Sequence, residues 1–421
     1  MAAKGASRAR EAWRIMSNEG PYRLAQRISR ASYQRLGADR LEFPLDLDDI
    51  ADSRELTLAV PQERPRRGTP LSIGWVCTPP SRGSGGHTTL FRMVEASEAA
   101  GHACFLYLYD RFHGQLARHE KVIRDCWPNM RAEVRSAMTG MAPLDAYVAS
   151  GWPTAHVLAA RAQIPTRRLY LIQDFEPFFY PHGSEYSLAE DTYRFGFRCI
   201  SVGRMVAEIL EKQFNVMAQV AEHGCDASVY KLTNPAPRTG VVFYAKPGVS
   251  RRGFELGVLA LQEFHRRCPE HEIHIFGDSS ARTPFPAVNH GSLSPARLST
   301  LYNHCRAGIV MSFTNVSLVP AEMLACGVVP AIVGPPNVRP DLDSALARWT
   351  EPSARSLADE LCAIVADPEP SPAAIAASMN MAGWDSAQRV VVETIEDEVY
   401  GPPSDCPPVP GMASVSRQPG K

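Results

Sequence analysis

The sequence predicts an α/β protein built from two doubly wound, Rossmann-like halves, and two observations carry this prediction. From Leu71 onwards, short apolar runs alternate with stretches whose apolar residues recur at helical spacing. The same alternation begins again at Gly240, after a break around residues 221–232. Strands that alternate with helices form parallel sheets covered by helices on both faces.

The individual segments support this pattern in order. In the first half, the runs that predict strands are LSIGWVC, ACFLYLY, DAYVAS, RRLYLIQ and RCISVG. The helical segments there are GHTTLFRMVEASEAAG, which ends at Gly101, PTAHVLAARA and RMVAEILEKQF. In the second half, GVVFYAK, HEIHIFG, AGIVMS and VVPAIVG predict strands, and GFELGVLALQEFHRR, SPARLSTLYNHC and VPAEMLACG predict helices. We therefore divide the chain into an extension with a linker (1–66), a first domain (67–222), a second domain (223–400) and a disordered tail (401–421).

The N-terminal extension is divided by charge. Residues 1–40 carry one Lys and eight Arg against three acids, whereas residues 41–60 carry six acids and one Arg. The interpretation we favour is an extension whose two parts neutralise each other. The alternative is a basic amphipathic helix that makes peripheral contact with an anionic membrane. The D-x-D pattern within Asp46–Asp49, which some metal-dependent transferases use, lies in this acidic run and is interpreted as solvated linker.

Composition argues against several classes of protein. The net charge of -1 disfavours a nucleic-acid binder. The ten cysteines form no C-x-x-C pair and no cluster at zinc spacing, so we expect small buried side chains and no metal site. No apolar run reaches the length of a membrane span, and the N-terminus lacks an apolar signal region. We expect a cytoplasmic protein, placed at the inner face of the plasma membrane if its extension binds lipid.

The first loop of interest, PPSRGSGGHTTLF, directly follows the first predicted strand. Gly83, Gly85 and Gly86 permit close backbone approach, and the helix beginning near His87 would direct N–H groups at an anion. A dinucleotide fingerprint would need a third glycine where Thr88 stands, although Asp110 follows the second strand, where such folds place a ribose-binding acid. An NAD-binding loop and a merely flexible turn both remain as alternatives.

Two further loops follow strands of the second half. In YAKPGVSRRGFEL, Lys246 ends a strand, and Arg251 and Arg252 precede a helix that Gly253 opens, an arrangement suited to a diphosphate. In MSFTNVSLVPAEMLACG, Glu322 lies near a helix start, where one carboxylate can accept both hydroxyls of a ribose. The backbone N–H groups of Ser317, Leu318 and Val319 would reach phosphate. The alternative for the first loop is a solvated basic loop, which its position at the end of a strand disfavours. Taken alone, Glu322 is better explained as an ordinary N-terminal helix acid.

The segments together resemble family-4 glycosyltransferases of the GT-B fold. SLVPAEMLACGVVPAIV resembles the second half of their glutamate signature, AEHGCDASVY their interdomain segment and FYAKPGVSRRGFEL their phosphate loop, over about residues 71–367. YLIQDFEPFFYPHGSEYSLAEDTYRFGF further resembles a bacterial rhamnosyltransferase branch that builds surface glycans. The resemblance implies two Rossmann-like domains facing a cleft, a TDP-, UDP- or GDP-linked sugar as donor co-substrate and no other cofactor.

The resemblance also implies roles for residues and one departure. It implies metal-independent transfer with retention, in which Glu322 holds the ribose, Lys246 with Arg251 or Arg252 neutralises the diphosphate, and Gly85–Gly86 approaches it from across the cleft. The family's first signature glutamate is replaced by Thr314, so a carboxylate that would contact the donor sugar is missing. A 6-deoxy sugar such as rhamnose is compatible with that loss.

The loop QDFEPFFYPHGSEY follows a strand of the first half and should emerge at the cleft. Asp174 and Glu176 could bind sugar hydroxyls or act as a base, and the aromatic run Phe178–Tyr180 could stack on a sugar; a structural loop is the equal alternative.

We therefore predict a hexosyltransferase, with rhamnose favoured, that acts on a glycan or lipid-linked glycan in surface polysaccharide assembly. The alternatives are an NAD-dependent oxidoreductase and a GT-B module that binds without turnover.

Overall fold

The computed structural model describes residues 13–36 without 15 and 19, and residues 38, 42–334, 339, 341, 342, 344–379 and 383–401. It divides into two compact units, residues 1–49 and 50–421. The described part of the first unit contains helix α1 (Pro21–Arg35), which has no buried residue. The predicted tail, apart from Gly401, lies outside the described residues. Within the described parts of the chain, no helix is both long and apolar enough to cross a membrane.

The first sheet of the second unit has seven parallel strands in the order β3-β2-β1-β4-β5-β6-β7. The strands are β1 (Ser72–Cys77), β2 (Ala103–Leu108), β3 (Glu133–Ser136), β4 (Ala146–Ala149), β5 (Arg167–Ile172), β6 (Arg198–Val202) and β7 (Ala218–Ala221). The helices are α2 (Gly85–Ala99), α3 (Leu116–Cys126), α4 (Trp152–Ala160), α5 (Ser184–Asp191) and α6 (Arg204–Ile209), which continues as a π turn (Leu210–Phe214). Central strands such as β4 are buried at every residue because helices cover both faces.

The second sheet has six parallel strands in the order β10-β9-β8-β11-β12-β13. Its strands are β8 (Gly240–Ala245), β9 (Ile273–Gly277), β10 (Val288–Asn289), β11 (Cys305–Met311), β12 (Val329–Val333) and β13 (Arg348–Trp349). Its helices are α7 (Phe254–Arg267), α8 (Pro295–Tyr302), α9 (Val319–Ala325), α10 (Ala354–Ala366) and α11 (Pro372–Ala377). Two doubly wound parallel sheets confirm the α/β prediction.

The last described helix, α12 (Asp385–Tyr400), packs on the first sheet rather than on the second. Val391 and Ile395 are fully buried in the same apolar cluster as Leu169 of β5 and Ile200 of β6. The sequence-based division assigned this helix to the second domain, and the packing corrects that assignment. Just before α12 begins, Trp384 packs on Gly224 of the segment between the two domains. A Cβ at Gly224 would come within 2.8 Å of the Trp384 Cγ atom.

Each sheet reverses its strand order at one point, and these points position the candidate site. In the first sheet the reversal lies between β1 and β4, and in the second between β8 and β11. In open α/β sheets, ligands bind outside the carboxyl ends of the strands at such a point. The loops that follow β1, β8 and β11 are three of the four that the sequence analysis selected, and the fourth follows β5.

Candidate active site

The loops at the carboxyl ends of the two sheets contact each other, and we call the seam between these loops the cleft. Asp174 lies two residues beyond β5 of the first sheet, and Thr314 lies three residues beyond β11 of the second. The guanidinium carbon of Arg251, from the loop after β8, lies 4.4 Å from the centre of the Phe179 ring on the first-sheet side. Cation–π contact of this kind links loops of the two domains directly.

Asp174 is the acid near this contact, because the charges of both Arg251 and Arg252 act on its carboxyl. Burial raises the pKa of its carboxyl, while the Arg252 charge, the Thr314 hydroxyl and the Arg251 charge oppose that rise. Its Oδ1 atom is buried and has no hydrogen-bond partner among the described residues. Buried acceptors are normally satisfied, and an exception calls for an explanation such as an absent ligand.

Thr314 presents the second unsatisfied atom. Its side chain is fully buried, and its hydroxyl makes no hydrogen bond to any part of the chain that the structure describes. The hydroxyl lies close enough to Asp174 to lower that carboxyl's pKa, although the pair lacks standard hydrogen-bond geometry. Two buried polar atoms from different domains therefore lie near each other, and neither has a hydrogen-bond partner among the described residues.

The basic loop is fixed to the end of β11. A guanidinium nitrogen of Arg252 donates to the Ser312 Oγ at 3.2 Å, and the Phe313 N–H donates to the Arg251 carbonyl at 3.2 Å. Gly253 has φ +57°, and a Cβ there would lie 2.7 Å from the Met311 methyl carbon. The left-handed backbone and the close approach both favour glycine here, and the sequence Arg-Arg-Gly places both cations beside the end of β11.

Lys246 lies directly after β8 and is half-buried. Hydrogen bonds from Ser280 chiefly lower the pKa of Asp278, and the Lys246 charge contributes further. This places the ammonium group near the loop after β9, on the same side of the second sheet as Arg251 and Arg252. The three cations are thus arranged along one edge.

The glycine loop of the first domain borders the same cleft. Helix α2 begins at Gly85, two residues earlier than predicted, and Ser84 caps it by accepting from the His87 N–H. The Gln173 amide donates to the Gly86 carbonyl at 3.1 Å, which brings this loop beside Asp174. A Cβ at Gly85 would meet no atom within 4 Å, so the space there is open for a ligand.

Glu322 is partly buried at a separate position in the second domain. Burial raises the pKa of its carboxyl to about 7, against the opposing effect of hydrogen bonds from Tyr230 and Tyr302. The Tyr302 hydroxyl donates at 3.5 Å to Glu322 Oε2. Arg92 of α2 forms a 3.3 Å ion pair with Asp226, and both charges also act on Glu322. The carboxylate therefore lies beneath the segment that joins the two domains.

Glu176 does not face the cleft, in contrast to the sequence-based expectation. Its side chain is buried, its carboxylate accepts the Trp152 N–H at the start of α4, and its own N–H donates to the Tyr193 hydroxyl at 3.1 Å. Burial raises the pKa of this carboxyl to about 8. These contacts are those of a helix cap inside the first domain.

The aromatic run beside it is divided between surface and interior. Phe178 is 40% exposed, whereas the Phe179 ring stacks against the Arg251 guanidinium. The Tyr180 hydroxyl accepts the Trp152 indole N–H at 3.1 Å. Only Phe178 of the three is thus presented openly to a ligand.

The loop before α9 uses much of its own hydrogen-bonding capacity. The Ser317 N–H donates to the Asn315 side chain at 3.0 Å, and the Val319 N–H donates to the Ser317 Oγ at 3.5 Å. The side chain of Leu318 packs against the core of the first domain. Phosphate contact through all three N–H groups would therefore require the loop to rearrange.

Sequence reasoning missed several residues of the site. Gln173 and Ser312 directly follow β5 and β11, and that position was their available signal. Tyr230 and Tyr302 carried no local signal, because their contact with Glu322 depends on the packed fold.

Two sequence alternatives can be examined against the geometry. The Asp110 carboxylate accepts the N–H groups of Phe112 and Gly114 and contacts the His119 ring at 2.9 Å, so its oxygens are engaged within its own loop. That arrangement disfavours a ribose-binding role in an NAD site. Across the described residues, no group of three or more His, Cys, Asp or Glu side chains is placed to hold a metal ion.

Comparison with known proteins agrees with the fold. Residues 239–362 match the model of the WsaF C-terminal domain, and residues 129–204 match that of the WsaF N-terminal domain. The O-antigen biosynthesis protein RfbC of Myxococcus xanthus is 34% identical over 193 residues, which is 44% of this chain. The chain spans only 15% of the length of that relative.

Solved structures also match the chain, each over a single alignment that covers most of both domains. HepE of Anabaena, in complex with UDP and glucose, matches with a TM-score of 0.55 at 14% identity, over 78% of this chain and 98% of that one. A variant of TarM from S. aureus, in complex with fondaparinux, α-GlcNAc-glycerol and UDP, matches with a TM-score of 0.56 at 7% identity over the same shares. The chain has the two-domain GT-B fold that the sequence resemblance implied.

Proposed function

We propose that this protein is a glycosyltransferase that moves a hexose or 6-deoxyhexose from a nucleoside-diphosphate sugar to a glycan in surface polysaccharide assembly. The observation that carries the proposal is the cluster of Asp174, Thr314 and Arg252 where the carboxyl edges of the two sheets meet. Its similarity to an O-antigen biosynthesis protein and to GT-B structures that contain UDP supports the same assignment.

The donor nucleotide is assigned to the second domain. Lys246, Arg251 and Arg252 neutralise the diphosphate as it leaves, which is electrostatic stabilisation of developing charge. The open backbone at Gly85–Gly86 approaches the same phosphates, and the Glu322 carboxylate accepts the ribose hydroxyls. Because three cations supply the positive charge, we propose that transfer does not require a metal ion. TDP, UDP and GDP are the candidate nucleotides.

The transferred sugar is assigned to the Asp174 and Thr314 atoms that lack partners. A carboxylate oxygen accepts, and a threonine hydroxyl both donates and accepts, so together they suit sugar hydroxyls. Asp174 thereby supplies, from the first domain, a carboxylate beside the position where Thr314 replaces the signature glutamate. We retain rhamnose as the favoured sugar and retention of anomeric configuration as the favoured outcome.

The acceptor is assigned to the first-domain side of the cleft, where Phe178 offers an exposed ring. Sugar C–H faces pack on aromatic rings while their hydroxyls need polar partners. If the acceptor is a lipid-linked glycan, the basic helix α1 would bring the enzyme to an anionic membrane face, in the cytoplasm.

The test is a thermal-shift screen with TDP, UDP, GDP and NAD, followed by transfer assays with the sugars of the stabilising nucleotide. A nucleotide at ~100-fold excess over Kd stabilises the fold by ~2.7 kcal/mol. Stabilisation by one nucleoside diphosphate and its release during transfer in EDTA support the proposal. Stabilisation by NAD alone would reject it, and binding without turnover would indicate a non-catalytic module.

A further inference from the structure

Two cysteine thiols lie against each other away from the candidate site. The Sγ atoms of Cys268 and Cys362 are 3.1 Å apart, and both residues are partly exposed and reduced. Among the other cysteines in the described residues, only Cys126 is also partly exposed. A small oxidant can therefore reach this pair from solvent.

The packing of two helices holds the thiols together. Cys268 is the residue that ends α7, and its φ of −130° and ψ of 62° lie outside helical geometry. Cys362 lies within α10, which packs along α7. An Arg267–Asp359 ion pair joins the helices beside the thiols, because Arg267 precedes Cys268 and Asp359 lies one turn before Cys362. The register that opposes the two sulfurs is thus set by independent contacts.

We propose that Cys268 and Cys362 form a reversible disulfide when the protein meets a low-molecular-weight disulfide such as oxidised glutathione. The Cys268 thiolate attacks one sulfur of the small disulfide and releases one small thiol, which leaves a mixed disulfide on Cys268. Cys362 then loses its proton and attacks the Cys268 sulfur, which releases the second small thiol. Two protein thiols and one small disulfide become one protein disulfide and two small thiols.

The order of the two steps follows from the surroundings of the thiols. Burial, followed by the contact with Cys268, raises the pKa of the Cys362 thiol to about 12. A thiol with a raised pKa is the poorer attacking group, so we assign Cys362 the second step, in which the mixed disulfide holds an electrophilic sulfur next to it.

The disulfide would affect the part of the molecule that carries the basic loop. Helix α7 begins directly after Arg251–Arg252 and Gly253, and α10 packs on β11 and β12. A covalent link between the two helices closes the chain from residue 268 to residue 362. Closing a long loop restricts the unfolded chain, so the oxidised protein is expected to be the more stable form.

The experiment uses the full-length protein equilibrated in glutathione buffers of increasing oxidised fraction, then alkylated and weighed intact. We expect the wild type to lose two alkylatable thiols and a digest to contain a Cys268–Cys362 peptide pair. The melting temperature of the wild-type protein should rise by roughly 5–10 °C on oxidation. Cys268→Ser and Cys362→Ser should each abolish both the bond and the rise.

Two control variants separate this bond from other oxidation. Cys126→Ser removes the other partly exposed thiol, and Cys406→Ser removes a cysteine outside the described residues; both should behave as the wild type does. Retention of all thiols by the wild type, or a bond that maps to a different pair, would overturn the proposal. Since mass and peptide mapping are read on the wild type, the result does not depend on folding of the variants.

Discussion

The environment of Glu322 determines a property that can be measured, namely the pKa of its carboxyl. Its carboxyl has a pKa of about 7 in the unliganded protein because burial opposes ionisation. A folded pKa above the ordinary value of 4.5 means that the folded protein holds this proton more tightly than the unfolded chain does. Its contribution to stability is therefore present at low pH and is lost as the pH rises towards 7.

Nucleotide binding should consequently depend on pH through Glu322. If the ionised carboxylate accepts the ribose hydroxyls, the favoured nucleoside diphosphate should bind roughly tenfold more weakly at pH 6 than at pH 8. Calorimetry at both pH values measures this ratio. Glu322→Gln serves as the control, because it retains the titration of the phosphate and removes that of the carboxylate. Equal pH dependence in both proteins would contradict the assigned role.

The two acids of the first-domain loop should respond differently to mutation. Asp174→Asn removes an acceptor beside Thr314 and should lower kcat by roughly 10–10³ with little change in nucleotide affinity. Glu176→Gln should keep near wild-type kcat, since an amide can still accept the Trp152 N–H. Glu176→Ala leaves that buried N–H unsatisfied and should cost about 1–3 kcal/mol in unfolding free energy. Steady-state kinetics and urea unfolding provide both measurements.

The position of the carboxylate can be tested by moving it across the cleft. Asp174→Ala alone should lower kcat by roughly 10². Adding Thr314→Glu places a carboxylate from the opposite domain in the space that the alanine leaves. The kcat of this double variant should be at least about tenfold higher than that of Asp174→Ala alone. Thr314→Glu in the wild-type background is the control and should lower activity through like-charge repulsion and overpacking. Without recovery in the double variant, the two positions do not share a sugar hydroxyl.

At the scale of elements, the sequence predicted the central strands and failed where local pattern is weak. Strand β1 (SIGWVC) is apolar after its first residue, and β5 (RRLYLI) ends in a run of four apolar residues, so these apolar runs indicated both strands. The short edge strand β3 has the sequence EVRS, which carries no such pattern. The loops of the site were predictable because they follow strands. The proximity of Asp174 to Thr314 was not, since it depends on how the two sheets meet.

Helix α1 carries an element-scale prediction of its own. Its sequence PYRLAQRISRASYQR has four arginines and no acid, and Tyr22 and Ile28 are 74% and 56% exposed. Attraction to anionic lipid is worth about 1 kcal/mol per basic residue at the surface. The Arg23→Gln, Arg30→Gln double variant should therefore co-sediment with anionic vesicles severalfold less than the wild type at low salt.

The control for that experiment removes the same charge elsewhere. Arg297→Gln with Arg355→Gln neutralises two exposed arginines of the second domain and should leave vesicle binding near that of the wild type. Equal loss in both double variants would mean that net charge, rather than this helix, determines lipid binding. Binding of the wild type that persists at high salt would also contradict an electrostatic attachment.

At the scale of the whole molecule, the first domain is completed by the last described helix. The His102 Nε2 atom lies 3.3 Å from a Glu396 carboxylate oxygen, and an ion pair joins Arg167 to Glu398 at 3.6 Å. The Gln388 amide donates to the Arg92 carbonyl at 2.9 Å. These polar contacts surround the apolar face of α12 that the first sheet buries. Residues distant in sequence thus form one core, which a linear division of the chain could not show.

A chain that ends at residue 222 should therefore fail to fold as an independent domain. It lacks Val391 and Ile395, so the face of the first sheet that they cover would be exposed to water. In the complete chain, Ile395→Ala should lower the unfolding free energy by about 2–5 kcal/mol through the cavity that it leaves. Urea unfolding followed by tryptophan fluorescence measures the loss, and Val288→Ala, at a half-exposed edge-strand position, is the control. If the 1–222 fragment unfolds in a cooperative transition that matches that of the full chain, the first domain folds without α12 and the prediction is wrong.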